Sequence, residues 1–209
     1  SYPNKANGTV MLIAAFENDK TVFRQESSFY YFTGITEPGL VLTLSLDNKT
    51  ALYEPNFGQA RKQWVYSPVP LTQENTKNIK IDEIRTLGDQ VGGYQLFPFF
   101  KQQSYAHIIE KLKQIVKDGA SLFTLYPDNE YAYVEQRMVL QRLISFVPGL
   151  EECIIDISEI VADMRRYKDM SEIERITKAI EITTLAHEAA AQALEHGMYE
   201  REIQANLEY

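Results

Sequence analysis

The residues of this sequence best suited to chemistry are three histidines, one cysteine and one tryptophan, and their spacing argues against most of it. His187-Glu188 opens a zinc-binding His-Glu-x-x-His pattern, but Ala191 stands where the second ligand belongs. His187 and His196 lie nine residues apart. On one helix that is about two and a half turns, so they face opposite sides and share no metal. Both read as plain helix residues. Cys153 stands in the strand-like context Cys153-Ile154-Ile155 with no basic neighbour to form a thiolate, and reads as a buried, inert thiol. Gly92-Gly93 lacks both the following Lys-Ser/Thr and the three-glycine spacing of a phosphate loop, which leaves a turn. Glu151-Glu152 follows Pro148-Gly149 and reads as a solvated loop. Trp64 lies within Gln59-Ala-Arg-Lys-Gln-Trp-Val-Tyr66. It has two readings: a partly buried aromatic, or a contact residue of the kind enriched where surfaces meet partners.

The elements that must position these residues are an α/β domain and a helical tail. The 209 residues are enough to bury a real core. A net charge of -8, with no long basic run, argues against non-specific nucleic-acid binding, which rests on phosphate neutralisation. One cysteine forbids an internal disulfide and fits a reducing compartment. The apolar run Val10–Phe16 is too short to span a bilayer and lacks a basic flank, so a cytoplasmic protein without a membrane partner is expected.

That run has the pattern of a strand covered on both faces. Leu40–Leu46 and Thr50–Tyr53, joined by Asp47-Asn48-Lys49, read as a hairpin. Ser121–Tyr126, closed by Pro127-Asp128-Asn129, reads as another buried strand. Phe100–Lys117 carries a helical stripe of Ile108, Ile109, Leu112, Ile115 and Val116. Tyr131–Phe146 carries a second stripe, Val134, Met138, Leu140 and Ile144, ended by Pro148-Gly149. The alternation predicts an α/β fold with a mixed sheet, since the hairpin is antiparallel.

From Ile157 onward no strand pattern appears. Ser171-Glu172-Ile173-Glu174 predicts a capping box, with Ser171 as the cap and Glu174 reaching back to it. A long helix follows, with Ile173, Ile176, Ile180, Thr184, His187, Ala191 and Leu194 on one face and Gly197 as its stop. A further helix begins at Glu200. The expected domains are residues 1–156 and 157–209. The second reads as the start of a larger body, so its apolar face should lack a cover and the chain should self-associate.

One stretch stands out by composition: Arg24-Gln25-Glu26-Ser27-Ser28-Phe29-Tyr30-Tyr31-Phe32-Thr33-Gly34, followed by Glu37-Pro38-Gly39. Ser27 or Ser28 can cap one helical turn that Gly34 ends, leaving some rings on the sheet and others facing outward. The stretch resembles the N-terminal domain of Xaa-Pro aminopeptidases (aminopeptidase P) in the creatinase/prolidase superfamily. That pattern runs Arg-Gln-x-Ser-x-Phe-aromatic-Tyr-Leu/Phe-Thr-Gly, then Glu-Pro. Arg165-x-x-Lys168-Asp169 with Glu172-Ile173 is similar to the segment that opens the family's catalytic domain. Gly197, Glu200 and Ile203 are similar to its Gly-x-x-Glu-x-x-Ile turn, where Tyr199 replaces the usual Thr or Ser cap.

The resemblance implies a creatinase-type N-terminal domain, followed by the helical start of a truncated pita-bread metallopeptidase domain. It implies a hydrolase that removes an N-terminal residue when proline follows, using two divalent metals, usually manganese, in a cluster of two Asp, one His and two Glu. Those ligands are expected downstream of this chain, so no catalytic or metal residue is assigned here. The chain alone is expected to be inactive. It also implies a homo-oligomer, with Trp64 reaching toward a neighbouring subunit's substrate site, supported by Arg61 and Tyr66. A non-catalytic peptide-binding or assembly module, or a prolidase- or creatinase-type hydrolase, is the alternative on the same scaffold.

Overall fold

The computed structural model describes residues 7–17, 22–57, 71, 76, 79–90 and 101–208. The chain divides into two compact units, Ser1–Ala162 and Asp163–Tyr209.

The first unit is built on a six-stranded sheet. Its strands are β1 (Gly8–Ile13), β2 (Val41–Ser45), β3 (Thr50–Glu54), β4 (Glu83–Thr86), β5 (Ser121–Thr124) and β6 (Ile154–Asp156). The spatial order is β4-β3-β2-β1-β5-β6. β2 runs antiparallel to both β1 and β3, whereas the β3–β4, β1–β5 and β5–β6 pairs are parallel. The sheet is therefore mixed, as the hairpin requires, and every strand but β2 points its carboxyl end to the same edge. The hairpin turns through Asn48, which adopts a positive φ of 61° that asparagine tolerates better than most residues.

β1 is central and alternates between two cores. Met11 and Ile13 join one cluster with Val41, Tyr53 and Leu122. Leu12 and Ala14 join the other with Leu40, Leu42 and Leu52. Period-two alternation across a strand covered on both faces explains why the sequence reads as an unbroken apolar run.

Helices cover both faces. On the first lie α2 (Ala106–Lys117) and α3 (Val134–Phe146), with α1 (Ser27–Thr33) and Val161 of α4 (Ser158–Arg166) on the second. α2 follows a single 3-10 turn, Gln102–Tyr105, so the helix starts later than the expected span, whose Phe100 lies outside the described residues. Its buried residues are Ile108, Ile109, Leu112 and Ile115, as the stripe predicts. α3 keeps part of its predicted stripe, with Leu140 buried and Ile144 packed against the core. It starts at Val134, and its buried face is Gln136, Val139, Leu140 and Leu143. Val134 and Met138 are exposed. Gln136 turns inward as well, and its Nε2 donates to the Ile13 carbonyl at 2.9 Å. The first unit runs past residue 156 to Ala162, and Val161 packs into its core.

The second unit contains α5 (Met170–Ala193) and α6 (Glu200–Glu208), which contact each other. Its capping box exists but sits two residues earlier than predicted. Asp169 is the cap: its Oδ1 accepts from the Glu172 backbone N–H at 2.8 Å, and Glu172 Oε2 accepts from the Asp169 N–H at 2.9 Å. Ser171 instead donates its hydroxyl to Asp169 Oδ1 at 2.8 Å. A carboxylate at the first helix end also complements the positive end of the helix dipole, which a serine does not. α5 ends at Ala193, so His196 lies beyond the helix rather than on it. Gly197 does not stop the helix. It sits at φ 97° in the turn that follows. No helix among the described residues is long and apolar enough to cross a membrane.

Candidate functional site

The aromatic stretch singled out in the sequence folds into one tied unit at the carboxyl end of β1. Gln25 is the knot. Its Oε1 accepts from the backbone N–H of Ala15 at 2.8 Å and of Glu26 at 2.9 Å. Its Nε2 donates to the carbonyls of Ile35 at 3.2 Å and Glu37 at 2.8 Å. A primary amide has two donors and two acceptor lone pairs, so this side chain is fully used. It fastens three pieces of backbone: the end of β1, the entry to α1 and the exit from it. The Ala14 N–H donates to the Leu40 carbonyl and the Gly39 N–H to the Ala15 carbonyl, both at 2.8 Å. Gly39 does so at φ 69°, a conformation for which glycine is suited.

α1 is capped by Glu26, not by Ser27 or Ser28. The two carboxylate oxygens accept from the N–H groups of Ser28 at 2.9 Å and Phe29 at 2.7 Å. One carboxylate serves two orphan donors, which a single hydroxyl does less well. Gly34 ends the helix in the left-handed conformation, as expected. Thr33 closes the exit: its hydroxyl donates to the Phe29 carbonyl and accepts from the Ile35 N–H.

The four consecutive rings divide as one helical turn requires. Phe29 is fully buried in the core with Leu12, Leu40 and Leu52. Tyr30, Tyr31 and Phe32 are exposed, and the rings of Tyr31 and Phe32 meet edge to face at 5.1 Å. The outcome is a short helix anchored by one ring and presenting three others.

Carboxylates gather near the same edge of the sheet. Glu54 ends β3. Burial pushes its carboxyl above the ordinary range, and the Glu37 carboxylate pushes the same way. Glu135 Oε2 accepts from the Phe16 N–H at 3.0 Å, which ties the start of α3 to the chain leaving β1. Asp156 Oδ1 accepts from the N–H of Tyr126 and of Ser158, which fixes the exits of β5 and β6. Glu135 and Asp156 are thus occupied by backbone, and the Glu37–Glu54 pair is the electrostatically costly one.

The remaining sequence candidates are scattered. Trp64, with Arg61 and Tyr66, lies outside the described residues, as do Gly92 and Gly93. His107 is exposed and its Nδ1 lies 2.8 Å from the Thr86 carbonyl, an anchoring contact for the start of α2. His187 is exposed on α5. Cys153 is half-buried at the end of a 3-10 turn, with its Sγ 3.5 Å from the Gly149 carbonyl. Glu151 and Glu152 are exposed, as a solvated loop should be. No three His, Cys, Asp or Glu side chains among the described residues gather to hold a metal ion. Two features escape a reading of the sequence. Gln25 looks like one polar residue in a row of them, and its role depends on contacts 10 and 12 residues away. Glu54 closes a strand, and nothing local announces Glu37 beside it.

Residues 10–91 match the family model of the aminopeptidase P N-terminal domain. That stretch is similar to an aminopeptidase P N-terminal domain. The aminopeptidase P likeness runs past the matched residues. The chain is 27% identical over 193 residues to Xaa-Pro aminopeptidase of Escherichia coli strain K12, covering 90% of this chain and 40% of that protein. It is 26% identical over 188 residues to an uncharacterised peptidase of Saccharomyces cerevisiae, covering 90% of this chain and 29% of that protein. The chain thus spans well under half the length of these relatives. Among solved structures, the low-pH form of E. coli aminopeptidase P superposes with a TM-score of 0.66 at 22% identity, over 96% of this chain and 44% of that one. A zinc-substituted form of the same enzyme in complex with product gives the same values. The fold is therefore that of the aminopeptidase P N-terminal domain and the start of the catalytic domain.

The entry to α6 in the second unit holds part of a capping box. At the entry to α6 the Tyr199 N–H donates to Glu202 Oε2 at 2.7 Å, and the Glu202 N–H donates to the Tyr199 carbonyl at 2.9 Å. Glu202 therefore performs its half of a capping box. The other half needs a short Thr or Ser hydroxyl, which tyrosine does not supply. The Tyr199 ring instead lies under the Arg201 guanidinium, 4.8 Å from its centre.

Proposed function

We propose that this chain is the N-terminal portion of a metal-dependent Xaa-Pro aminopeptidase, a cytoplasmic enzyme that releases the residue preceding proline at a peptide's N-terminus. The observation that carries the reading is the Arg24–Gly39 segment. Its distinctive residues are each used: Gln25 as knot, Glu26 as cap, Phe29 as anchor, Thr33 and Gly34 as closure. That segment lies inside the stretch matching the aminopeptidase P N-terminal domain. The likeness to a zinc-substituted E. coli aminopeptidase P supports a metallopeptidase.

In this reading the first unit assists assembly and access to the active site. The exposed rings of α1 are suited to contact between subunits of a homo-oligomer, and Trp64 contacts the substrate of a neighbouring subunit. Two divalent ions, manganese by preference, act elsewhere in the longer protein, where bound metal makes water acidic enough to attack a carbonyl. The described residues of this chain do not fit such a site, so no step of the reaction is derived from them. The role left to them is to bind and orient. The charge of -8 argues against non-specific nucleic-acid binding.

The test is hydrolysis by the longer protein that contains this chain, supplied with manganese. A tripeptide with proline second should lose its first residue, and Xaa-Pro dipeptides should be poor substrates. This chain alone should release nothing. Turnover of dipeptides in preference to the tripeptide would move the reading to a prolidase. No turnover of either, with the downstream metal ligands replaced in the gene, would make the protein a non-catalytic module.

A further inference from the structure

We draw no further inference here: the strongest candidate, the exposed apolar stripe of Ile173, Ile176 and Ile180 along α5, carries nothing because nothing in the structure shows what covers it.

Discussion

α2 and α5 are written in the same code and meet different fates. Both place branched apolar residues at helical spacing. α2 has 12 residues and buries Ile108, Ile109, Leu112 and Ile115. α5 has 24 residues, and its one buried residue is Ala190. Ile173, Ile176 and Ile180 of α5 are all exposed. Its threonines are satisfied within the helix and reach for no neighbour. The Thr177 hydroxyl donates to the Ile173 carbonyl, that of Thr183 to Ala179, and that of Thr184 to Ile180. Periodicity thus states which face of a helix is apolar, whereas its cover is decided by residues elsewhere. α2 finds that cover in the sheet of its own unit. α5 contacts α6 and leaves most of its stripe open.

The largest expected effect sets the open α5 stripe against a covered ring of α1. Phe29→Ala removes a fully buried ring and should cost about 3–5 kcal/mol of stability. Ile180→Ala, on the open stripe, should stay within about 0.5 kcal/mol. Urea denaturation followed by far-UV circular dichroism measures both. A cost for Ile180→Ala near that of Phe29→Ala would mean that the α5 stripe is already covered in solution.

Next in size is the knot. Gln25→Ala strips partners from two N–H groups and two carbonyls, and should cost about 2 kcal/mol. Gln25→Glu should be nearly as damaging, because a carboxylate cannot donate to the Ile35 and Glu37 carbonyls. Amide hydrogen exchange at Ala15 and Glu26 should quicken in Gln25→Ala. Unchanged protection at both amides would show that the knot is dispensable.

A smaller effect concerns the open stripe itself. Exposed apolar surface of this kind favours contact, so this chain should show a mass above that of the monomer by light scattering at high concentration. Ile176→Glu places a charge within the stripe and should lower the apparent mass toward the monomer. A strictly monomeric parent chain at high concentration would remove the expectation of self-association.

What is legible in the sequence follows the same division between local and distant causes. β1 announces itself because a strand covered on both faces has no polar alternate position, and the β2–β3 hairpin because Asp47-Asn48-Lys49 interrupts two apolar runs. The α3 stripe is right at Leu140 and Ile144 but not at Val134 and Met138, and the inward Gln136 is missed because its partner, the Ile13 carbonyl, is far away in sequence. Both helix caps differ from the expected serines for one reason. Ser27, Ser28 and Ser171 are good caps in isolation, but an acidic residue one or two positions earlier reaches the N–H groups of the first turn. Of the candidate site, the family segment is readable as a pattern of residue types. Its wiring through Gln25 is not, since it depends on bringing Ala15, Glu26, Ile35 and Glu37 together.

The smallest expected effect separates a half-buried carboxylate from an exposed one by pH. Burial and the Glu37 carboxylate hold the folded-state pKa of Glu54 above its ordinary value of 4.5. A carboxyl whose folded pKa is raised binds its proton more tightly in the folded state. Its favourable contribution is present below the unfolded pKa and is lost as pH rises through the folded one. At neutral pH, Glu54 is therefore a charge the fold would hold more easily without. Glu54→Gln should raise the melting temperature at pH 7, and the difference should shrink toward zero by about pH 4, where the native carboxyl is itself neutral. Glu135→Gln should do the opposite at pH 7, because the Glu135 carboxylate accepts the Phe16 N–H and the amide is a weaker acceptor. Melting curves of the three proteins at several pH values decide the matter. A Glu54→Gln protein that is less stable than its parent at pH 7 would mean that Glu54 has a cationic or hydrogen-bonding partner that outweighs Glu37.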